Sequence, residues 1–288
     1  MKTPKKILTS LFLLGATTTS YAALVVNETF DYPGSGEVSV VPSPWEDGTS
    51  NVVYRADVTA GWSGDSDYTL SGAGGSLHTK GLSNYRGGQL DLGTSLTGTF
   101  WTSVLIRTDA AASSEAGALV AFENGSYFYS NFDGFAFGIN GNGNLMTASN
   151  SGSSTAEDIG VGLPSGFGLY IAKITVNGGG ANDAIDLWAF GSGDSFGQTE
   201  ASLGSTVFSS SSIQYGDSIS DVWLGGQFEN GGVSSAPSYF DNLRISDQSG
   251  NTGLAEVLSG SVIPEPSSIL LLSMGLLLAV GSSFRTKR

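Results

Sequence analysis

Short apolar runs recur through the chain between clusters of Gly, Ser, Asn and Asp, and this spacing constrains the fold more than any other feature. Each run is too short for a typical helix, and the turn-forming residues between the runs predict short connections. No run predicts a long amphipathic helix. The predicted strands are 51–58, 99–107, 117–124, 133–140, 167–177, 184–190, 219–228 and 238–246. The sequence therefore predicts an all-β domain.

One predicted strand shows clear alternation. Phe135, Phe137 and Ile139 alternate with small residues, which predicts that one face of this strand is buried. The following segment, 140–144 (NGNGN), predicts a hairpin turn because Asn and Gly tolerate positive φ. Two packed antiparallel sheets accommodate many strands with short connections. We therefore predict an all-β fold, an antiparallel two-sheet jelly-roll sandwich.

Four segments resemble the opening, middle and closing strands of concanavalin A-like and LamG-like domains. The resemblance covers most of 24–248, and its residues are 24–32 (LVVNETFDY), 100–107 (FWTSVLIR), 183–188 (DAIDLW) and 239–246 (YFDNLRIS). It implies that the closing strand lies beside the opening one. Phe30 is then expected to share the core with Leu243 or Ile245.

Charge and cysteine content exclude several classes of partner and site. Between the two ends of the chain, six basic residues face 25 acidic ones, a net charge of −19, so phosphate backbones would be repelled and no nucleic acid is expected. The acidic excess serves solubility or the binding of divalent cations. The absence of cysteine excludes disulfides and thiolate zinc sites.

The N-terminal segment, 1–22, has the features of a secretory signal peptide. Three lysines precede a short apolar stretch, and 20–22 (SYA) places small residues before a cleavage site between Ala22 and Ala23. An uncleaved membrane anchor is the alternative, but the apolar run is shorter than the roughly 20 residues needed to span a bilayer. We expect an exported protein with a sandwich domain over 23–250.

The C-terminal segment, 263–288, follows an expected linker at 251–262. Pro264, Glu265 and Pro266 precede the apolar run 269–281 (ILLLSMGLLLAVG), and a basic cluster ends the chain. This order alone predicts a C-terminal hydrophobic helix inserted in the membrane with the basic end cytoplasmic.

The same order resembles the sorting tail of PEP-CTERM proteins. The resemblance implies processing near the Pro-Glu-Pro by an exosortase, and delivery to the cell surface or extracellular matrix of a Gram-negative bacterium that makes an exopolysaccharide. Without that processing, the helix would remain as a membrane anchor.

Trp45 and Trp62 are the predicted carbohydrate-binding residues. Both lie in Gly/Ser/Pro-rich segments, and an indole face complements the apolar face of a sugar ring. The alternative is that each caps an edge of the sandwich. Trp101, Trp188 and Trp223 lie in predicted strands and are assigned to the core.

Asp31, Asp241 and Asn242 are the candidate metal ligands. Pairing of the opening and closing strands would bring these oxygen donors together, and such ligands suit a structural calcium ion. No other cofactor is expected. Asp65 and Asp67 also offer two carboxylates on alternate positions, for which an Asx-turn is the alternative. For Asp183, the alternatives are a calcium ligand and a turn residue.

No catalytic constellation is predicted. A retaining glucanase on this fold would carry a Glu-x-Asp-x-x-Glu strand, which does not occur, and Asp183 and Asp186 lie on opposite faces of a strand. His78 is the single histidine, so a serine catalytic triad would have to use it. The sequence has no Gly-x-Ser-x-Gly nucleophile motif to accompany it, and His78 is expected in an exposed loop.

We therefore expect a non-enzymatic surface or matrix protein that contacts exopolysaccharide or another matrix component. A secreted glycan-active enzyme and a purely structural surface protein are the alternatives.

Overall fold

The computed structural model describes residues 24–30, 37–38, 45–47, 52–55, 62, 68, 75–79, 86–109, 117–124, 134–149, 157–179, 182–213, 216–227 and 238–261. One compact unit spans residues 22–263. Both predicted terminal segments, 1–22 and 263–288, lie outside the described residues.

Within the described residues, the chain forms short strands in the following order. They are β1 (Leu24–Glu28), β2 (Glu37–Val38), β3 (Trp45–Asp47), β4 (Val52–Arg55), β5 (Ser76–Thr79), β6 (Arg86–Leu96), β7 (Gly98–Thr108), β8 (Gly117–Glu123), β9 (Gly134–Asn140), β10 (Asn144–Ser149), β11 (Glu157–Gly162), β12 (Gly168–Val176), β13 (Asp183–Phe190), β14 (Phe208–Ile213), β15 (Ile219–Gln227) and β16 (Ser238–Ser246). A 3-10 helix (Glu200–Leu203) and the helix α1 (Gly250–Ser259) complete them.

The strands form two antiparallel sheets. The nine-stranded sheet has the order β14-β13-β12-β7-β16-β5-β4-β2, with β1 also paired to β16. The seven-stranded sheet has the order β11-β10-β9-β8-β15-β6-β3. The fold is therefore an antiparallel two-sheet jelly-roll sandwich, and the predicted fold class is confirmed.

The opening and closing strands pair as expected. β16 pairs with β7 along one edge, while its other edge pairs first with β5 and then with β1. Phe30, Leu243 and Ile245 belong to the same buried cluster between the sheets. The predicted pairing and the shared core position of Phe30 are both confirmed.

A bulge at Asn242 reverses the alternation of β16. Asn242 has a left-handed φ of 49°, and the pairing with β7 shifts between Asp241 and Arg244. Phe240 faces the core before the bulge, and Leu243 and Ile245 face it afterwards. Without the extra residue, Arg244 would point into the apolar core, because side chains alternate strictly along a regular strand.

A second apolar layer covers the outer face of the nine-stranded sheet. Trp101, Leu105 and Trp188 on that face pack in one buried cluster with Leu203 of the 3-10 helix and with residues of α1. Trp101 and Trp188 are buried as predicted, but they lie outside the space between the sheets. Their indole rings stack with centroids 5.8 Å apart.

The prediction of a linker at 251–262 is corrected, because the helix α1 occupies most of this segment. Leu254, Val257 and Leu258 are fully buried against the nine-stranded sheet, and the helix ends at Gly260, whose φ of 67° is left-handed. The i, i+3, i+4 spacing of these three residues gives α1 an apolar face. The segment is therefore an integral part of the domain.

The predicted hairpin turn at 140–144 joins β9 to β10. The Asn140 side-chain oxygen accepts hydrogen bonds from the backbone N–H groups of Asn142 and Asn144, at 3.0 and 2.9 Å. All eight predicted strands occur, within one to three residues of their expected ends. β2, β3, β5, β6, β10, β11 and β14 were not predicted as strands, because they are very short or because glycine, serine or acidic residues interrupt their apolar pattern.

Candidate functional site

The outer face of the seven-stranded sheet is the candidate site. Along β15, Val222 and Leu224 enter the core between the sheets, so Asp221 and Trp223 point outwards. Leu90 of β6 and Phe122 of β8 also enter the core. The outward positions beside them are Gln89, Asp91 and Glu123.

Three carboxylates form a row across this face, which we call the acidic row. Asp221 pairs directly with Glu123 of β8 on one side and with Asp91 of β6 on the other. Directly opposite residues on antiparallel strands have Cα atoms about 4.5–5.5 Å apart. Glu123 is fully buried, Asp221 is 8% exposed and Asp91 is exposed. Three like charges are thus brought together by strands that are distant in sequence.

Gln89 lies next to the acidic row and is bonded to it. Its Nε2 donates a hydrogen bond of 3.0 Å to Asp221 Oδ1, and the Ser220 hydroxyl donates one of 2.5 Å to Asp221 Oδ2. Gln89 is 9% exposed, and its Oε1 is buried without a hydrogen-bond partner among the described residues. A buried carbonyl oxygen of this kind is costly unless a donor satisfies it.

The indole of Trp223 lies against the sheet beside this group. A Cβ atom added at Gly87 would lie 2.3 Å from Trp223 Cε2, so the ring occupies the space left by the glycine. Trp223 pairs directly with Gln89 and packs with small or flexible side chains of the same face, namely Ala121, Ala136, Ala148, Leu119 and Met146. Trp223 is only 1% exposed, so its ring is part of a buried layer on this face and is closed off from solvent.

The basic side chains that the structure describes lie on the nine-stranded sheet. They are Arg107, Lys173 and Arg244, at outward positions. Lys173 pairs with Glu200 at 2.7 Å, and Arg107 pairs with Asp109 at 2.8 Å. Arg86 lies in β6 of the seven-stranded sheet, and its side chain is outside the described residues.

A cleft adjoins the acidic row at the edge of the sandwich. It has a volume of about 260 Å³ and lies between β1 and β6, with Asn27, Glu28 and Asp91 among its lining residues. The Glu28 carboxylate accepts hydrogen bonds from the backbone N–H of Phe30 at 2.8 Å and from the Trp45 indole N–H at 3.3 Å. Asp91 thus borders both the cleft and the acidic row.

The two predicted carbohydrate-binding residues do not lie together. Trp45 is 4% exposed, packs against Phe30 with ring centroids 5.6 Å apart and belongs to the core between the sheets. Trp62 is also 4% exposed and packs against Tyr68 and Phe196 in the layer outside the nine-stranded sheet. These positions match the alternative of edge packing, and their carbohydrate contact stays a prediction.

The predicted calcium ligands are engaged in other contacts where the structure describes them. Asp241 Oδ1 accepts from the backbone N–H of Asn242 at 2.7 Å, and Asn242 Oδ1 accepts from Arg244 at 3.0 Å. Asp31 lies outside the described residues. The guanidinium already supplies a positive charge beside this pair, so the residues present do not fit a second cation.

Arg244 also holds α1 in place. Its Nη1 donates to the carbonyl oxygens of Val257 and Leu258 at 3.0 and 2.8 Å, in the last turn of the helix. Burial lowers the pKa of Arg244 below its usual value, and burial raises the pKa of Tyr68, whose ring lies 4.8 Å from the guanidinium carbon. A cation at a helix C-terminus is favoured by the helix dipole.

The expectation of an exposed loop for His78 is wrong. His78 is 4% exposed, lies in β5 opposite Tyr239, and stacks on that ring with centroids 4.6 Å apart. The glycines before β5 suggested a loop, but the pairing of β5 with β4 and β16 orders the segment. The imidazole therefore packs in the outer layer of the nine-stranded sheet.

Asp183 has the turn role that was one of its two alternatives. It is buried and accepts a hydrogen bond of 2.7 Å from the backbone N–H of Asn177, across the β12–β13 hairpin. Asp65 and Asp67 lie outside the described residues, as do Ala22, Ala23 and the Pro-Glu-Pro motif. Among the residues that are described, no cluster of three or more His, Asp or Glu side chains could hold a metal ion. No helix in the described part of the chain is long and apolar enough to cross a membrane.

Sequence reasoning missed the acidic row. Asp91, Glu123 and Asp221 are separated by 32 and 98 positions, and no local motif joins them. The signal that could have found them is an acidic residue at an outward position of a strand whose inward positions are apolar, as with Asp221 beside Val222.

Comparison with known proteins concerns the fold. No protein-family model matches the chain, and no curated protein matches it. Among solved structures, the chain is similar to a Bacillus licheniformis β-glucanase, with a TM-score of 0.45 and 8% identity, covering 77% of this chain and 98% of that one. It is also similar to the carbohydrate recognition domain of Emp47p, with a TM-score of 0.44 and 11% identity, covering 79% and 97%.

A third similar structure is domain 4 of AbnA, a GH43 extracellular arabinanase from Geobacillus stearothermophilus, in complex with arabinotriose. Its TM-score is 0.40 and its identity 13%, and the alignment covers 83% of this chain and 99% of that one. By their names, these proteins include both carbohydrate-binding domains and glycoside hydrolases.

Proposed function

We propose that the chain is an exported bacterial surface or extracellular-matrix protein whose β-sandwich is a non-catalytic module for exopolysaccharide. The observation that carries the binding role is the cleft of about 260 Å³ between β1 and β6, where Asn27, Glu28 and the exposed Asp91 offer oxygen acceptors. Sugar hydroxyls donate hydrogen bonds to acceptors of this kind.

Export and sorting are proposed from the two ends of the sequence. The signal-like segment 1–22 would direct secretion, and the Pro-Glu-Pro, apolar and basic order of 263–288 would make an exosortase the processing partner. Before processing, the apolar run would insert in the membrane.

The sorting proposal is tested by intact mass and fractionation of the protein from its host, with and without exosortase. We expect loss of about the first 22 residues and of the residues after the Pro-Glu-Pro, with the second loss dependent on exosortase. A mass that retains 269–288 in both strains, with the protein in the membrane fraction, would overturn it.

The binding proposal is tested with the purified domain and exopolysaccharide from the same host. Asp91→Ala removes an exposed acceptor that lines the cleft, and we expect it to weaken binding several-fold. Asp247→Ala is the matched control, because Asp247 is an exposed acid that does not line the cleft. Equal binding by the two variants, at equal stability, would contradict the assignment of the cleft.

A glycan-active enzyme is the second candidate, and one observation favours it. Glu123 and Asp221 are directly opposite on neighbouring strands, and a pair of carboxylates is what glycosidases use to cleave the glycosidic bond. An assay for sugar release from the host polysaccharide, with Glu123→Gln as the control, decides between the candidates. We expect no release from either protein, and release abolished by Glu123→Gln would replace the binding module by an enzyme.

A further inference from the structure

Three Asn-Gly pairs lie at hairpins in the described part of the chain, and they begin at Asn140, Asn142 and Asn177. Two more pairs, which begin at Asn124 and Asn230, lie partly or wholly outside it. An asparagine before glycine can lose its side-chain amide, because glycine has no side chain to hinder attack by its own backbone nitrogen on that amide. The contacts of each asparagine therefore decide how readily its pair reacts.

The amide of Asn140 is fixed on both sides. Its Oδ1 accepts hydrogen bonds from the backbone N–H groups of Asn142 and Asn144 at 3.0 and 2.9 Å, and its Nδ2 donates one of 2.8 Å to Asp158 Oδ2. Asn140 is also fully buried. Rotation of its amide towards the nitrogen of the following glycine would break all three bonds, so we expect this pair to be protected.

Asn177 is held by one side-chain bond. It is exposed, and its Nδ2 donates to the carbonyl oxygen of Asn182 on the other side of the β12–β13 hairpin. One exposed bond protects an amide less than three bonds in a buried position. We therefore expect this pair to react faster than the pair at Asn140.

The side chain of Asn142 is the least restrained of the three. Asn142 is exposed, and its side chain forms no hydrogen bond with another described residue. The space beside the following Gly143 is open, since a Cβ atom added there would have no neighbour within 4 Å. The nitrogen of Gly143 donates one bond of 3.0 Å to the Asn140 carbonyl oxygen. This bond must open before the nitrogen can attack, and exposed turns open locally at low free energy.

We propose that Asn142 is a site of spontaneous covalent modification, at which the folded domain converts asparagine to aspartate and isoaspartate. Hydroxide removes the proton of the Gly143 nitrogen, which then attacks Asn142 Cγ. The new N–Cγ bond closes a succinimide ring, the Cγ–Nδ2 bond breaks, and the nitrogen leaves as ammonia with a proton from water.

Water then opens the succinimide ring at either carbonyl carbon. Attack at Cγ gives aspartate, and attack at the backbone carbonyl carbon gives isoaspartate, in which the chain runs through the side chain. Both products add a negative charge to the turn whose Asn140 and Asn144 bind Asp158. Isoaspartate also inserts one carbon into the backbone before Gly143, so we expect it to disturb the hydrogen bonds of the turn.

Peptide mapping by mass spectrometry follows all the pairs in one sample of the purified domain (residues 23–263), incubated at mildly alkaline pH. Each deamidation adds about 1 Da, and fragment ions assign it to a residue. We expect Asn142 to react at least about tenfold faster than Asn140, with Asn177 between them. The rate at Asn142 should rise with pH, because the attacking nitrogen must lose its proton.

Unfolding is the control for the effect of structure. In concentrated guanidinium chloride the burial and the hydrogen bonds are lost, so the rates of the three pairs should converge. Equal rates at Asn140 and Asn142 in the folded domain would overturn the proposal. A folded domain in which Asn177 reacts faster than Asn142 would overturn it as well.

Two variants test the assignment within the turn. Asn142→Ser keeps the backbone bonds of the turn and removes the reactive amide, so aged samples should lose the mass gain at this position and any accompanying fall in melting temperature. Asp158→Ala removes the acceptor of Asn140 Nδ2, and we expect the rate at Asn140 to rise several-fold relative to that at Asn142. An unchanged ratio of the two rates would show that the hydrogen bonds of Asn140 do not protect it.

Discussion

The two outer faces of the sandwich differ in what they carry. The nine-stranded sheet presents large aromatic residues and Arg244, and α1 and the 3-10 helix pack on them. The seven-stranded sheet presents small residues, one tryptophan and the acidic row. Both faces are built from the same alternation along strands and both are buried layers, so the side chains at the outward positions decide what packs on each face.

Both outer faces hold buried polar groups. On the helix-covered face, Arg244 bonds the carbonyl oxygens of α1, while Trp101 Nε1 is buried without a hydrogen-bond partner among the described residues. On the acidic face, Gln89 Oε1 is likewise buried without one. A buried polar atom without a partner therefore does not distinguish the two faces, and four changes test how their packing differs.

Removal of α1 should have the largest effect. A chain that ends at Gln248 would expose the surface covered by Leu254, Val257 and Leu258, each worth about 1.5–3 kcal/mol of burial. Together with the loss of the contacts to Arg244, this equals much of the total stability of a typical domain. We expect a chain that ends at Ser261 to unfold cooperatively in urea, and the shorter chain to lack that transition. Equal stability of the two chains would restore the linker interpretation.

Replacement of Arg244 should come next. Arg244→Ala removes the guanidinium bonds to the Leu258 carbonyl oxygen and to Asn242 Oδ1, and leaves the Val257 carbonyl oxygen with its bond from the Ser103 hydroxyl. We expect a loss of about 3 kcal/mol. Lys173→Ala is the control, because its pair with Glu200 is partly exposed and should contribute less than about 1 kcal/mol. Urea denaturation measures both values. Similar losses of stability in the two variants would show that Arg244 does not hold α1 against the sheet.

The same substitution on the two faces should differ in its consequences. Gly253→Ala would normally favour a helix by up to about 1 kcal/mol. Here the new methyl would lie 2.0 Å from the Gln248 carbonyl oxygen and 2.8 Å from Trp101 Cδ1, so we expect a loss of about 1–3 kcal/mol.

Gly87→Ala should act on the seven-stranded sheet instead, because the new methyl would lie 2.3 Å from Trp223 Cε2 and 2.4 Å from the Leu224 carbonyl oxygen. It should therefore displace the indole and lower stability without touching α1. Thermal melts measure both variants, and a Gly87→Ala variant as stable as the parent chain would contradict this close packing.

The smallest expected effect on stability is that of Asp158 in β11, and it appears at acid pH. Hydrogen bonds from Asn144, the backbone N–H of Gly160 and Asn140 hold the pKa of this carboxyl below its usual value. Because the folded pKa is lowered, its stabilising contribution is present above the unfolded pKa of about 4 and is lost as pH falls through the folded value.

The melting temperature of Asp158→Asn should therefore fall less steeply than that of the parent chain below about pH 4. The difference corresponds to less than about 1 kcal/mol, because the carboxylate is largely solvated. Identical acid profiles for the variant and the parent chain would exclude this contribution. Asp194→Asn is a control, because Asp194 is an exposed acid in the turn that follows β13 of the nine-stranded sheet.

Much of the fold was predictable because local signals were strong. The range 238–246 matches β16 at both ends, and the NGNGN segment forms the turn that its positive-φ residues favour. The linker and His78 were not predicted correctly. In the segment 254–258 the helical spacing of the apolar residues was present, but five residues give too weak a period beside the glycines and serines around them.

The candidate site was beyond the reach of sequence patterns for a physical reason. Trp45 and Trp62 were chosen because they lie among loop-forming residues, yet both are buried by packing from distant strands. Asp91, Asp221 and Glu123 looked like unrelated surface acids. Only the order β8-β15-β6 makes them neighbours.

The sequence by itself determined the strand pattern and the acidic charge, because periodicity, turn residues and composition are local properties. Its assignment of the two ends stays a prediction. The tertiary structure decided which strands pair and therefore which side chains share a face. It also decided which side chains of β16 face the core, since the bulge at Asn242 turns Arg244 away from the core and towards α1. Those outcomes depend on contacts between residues far apart in the chain, and the free energy of such contacts is set by packing across both sheets.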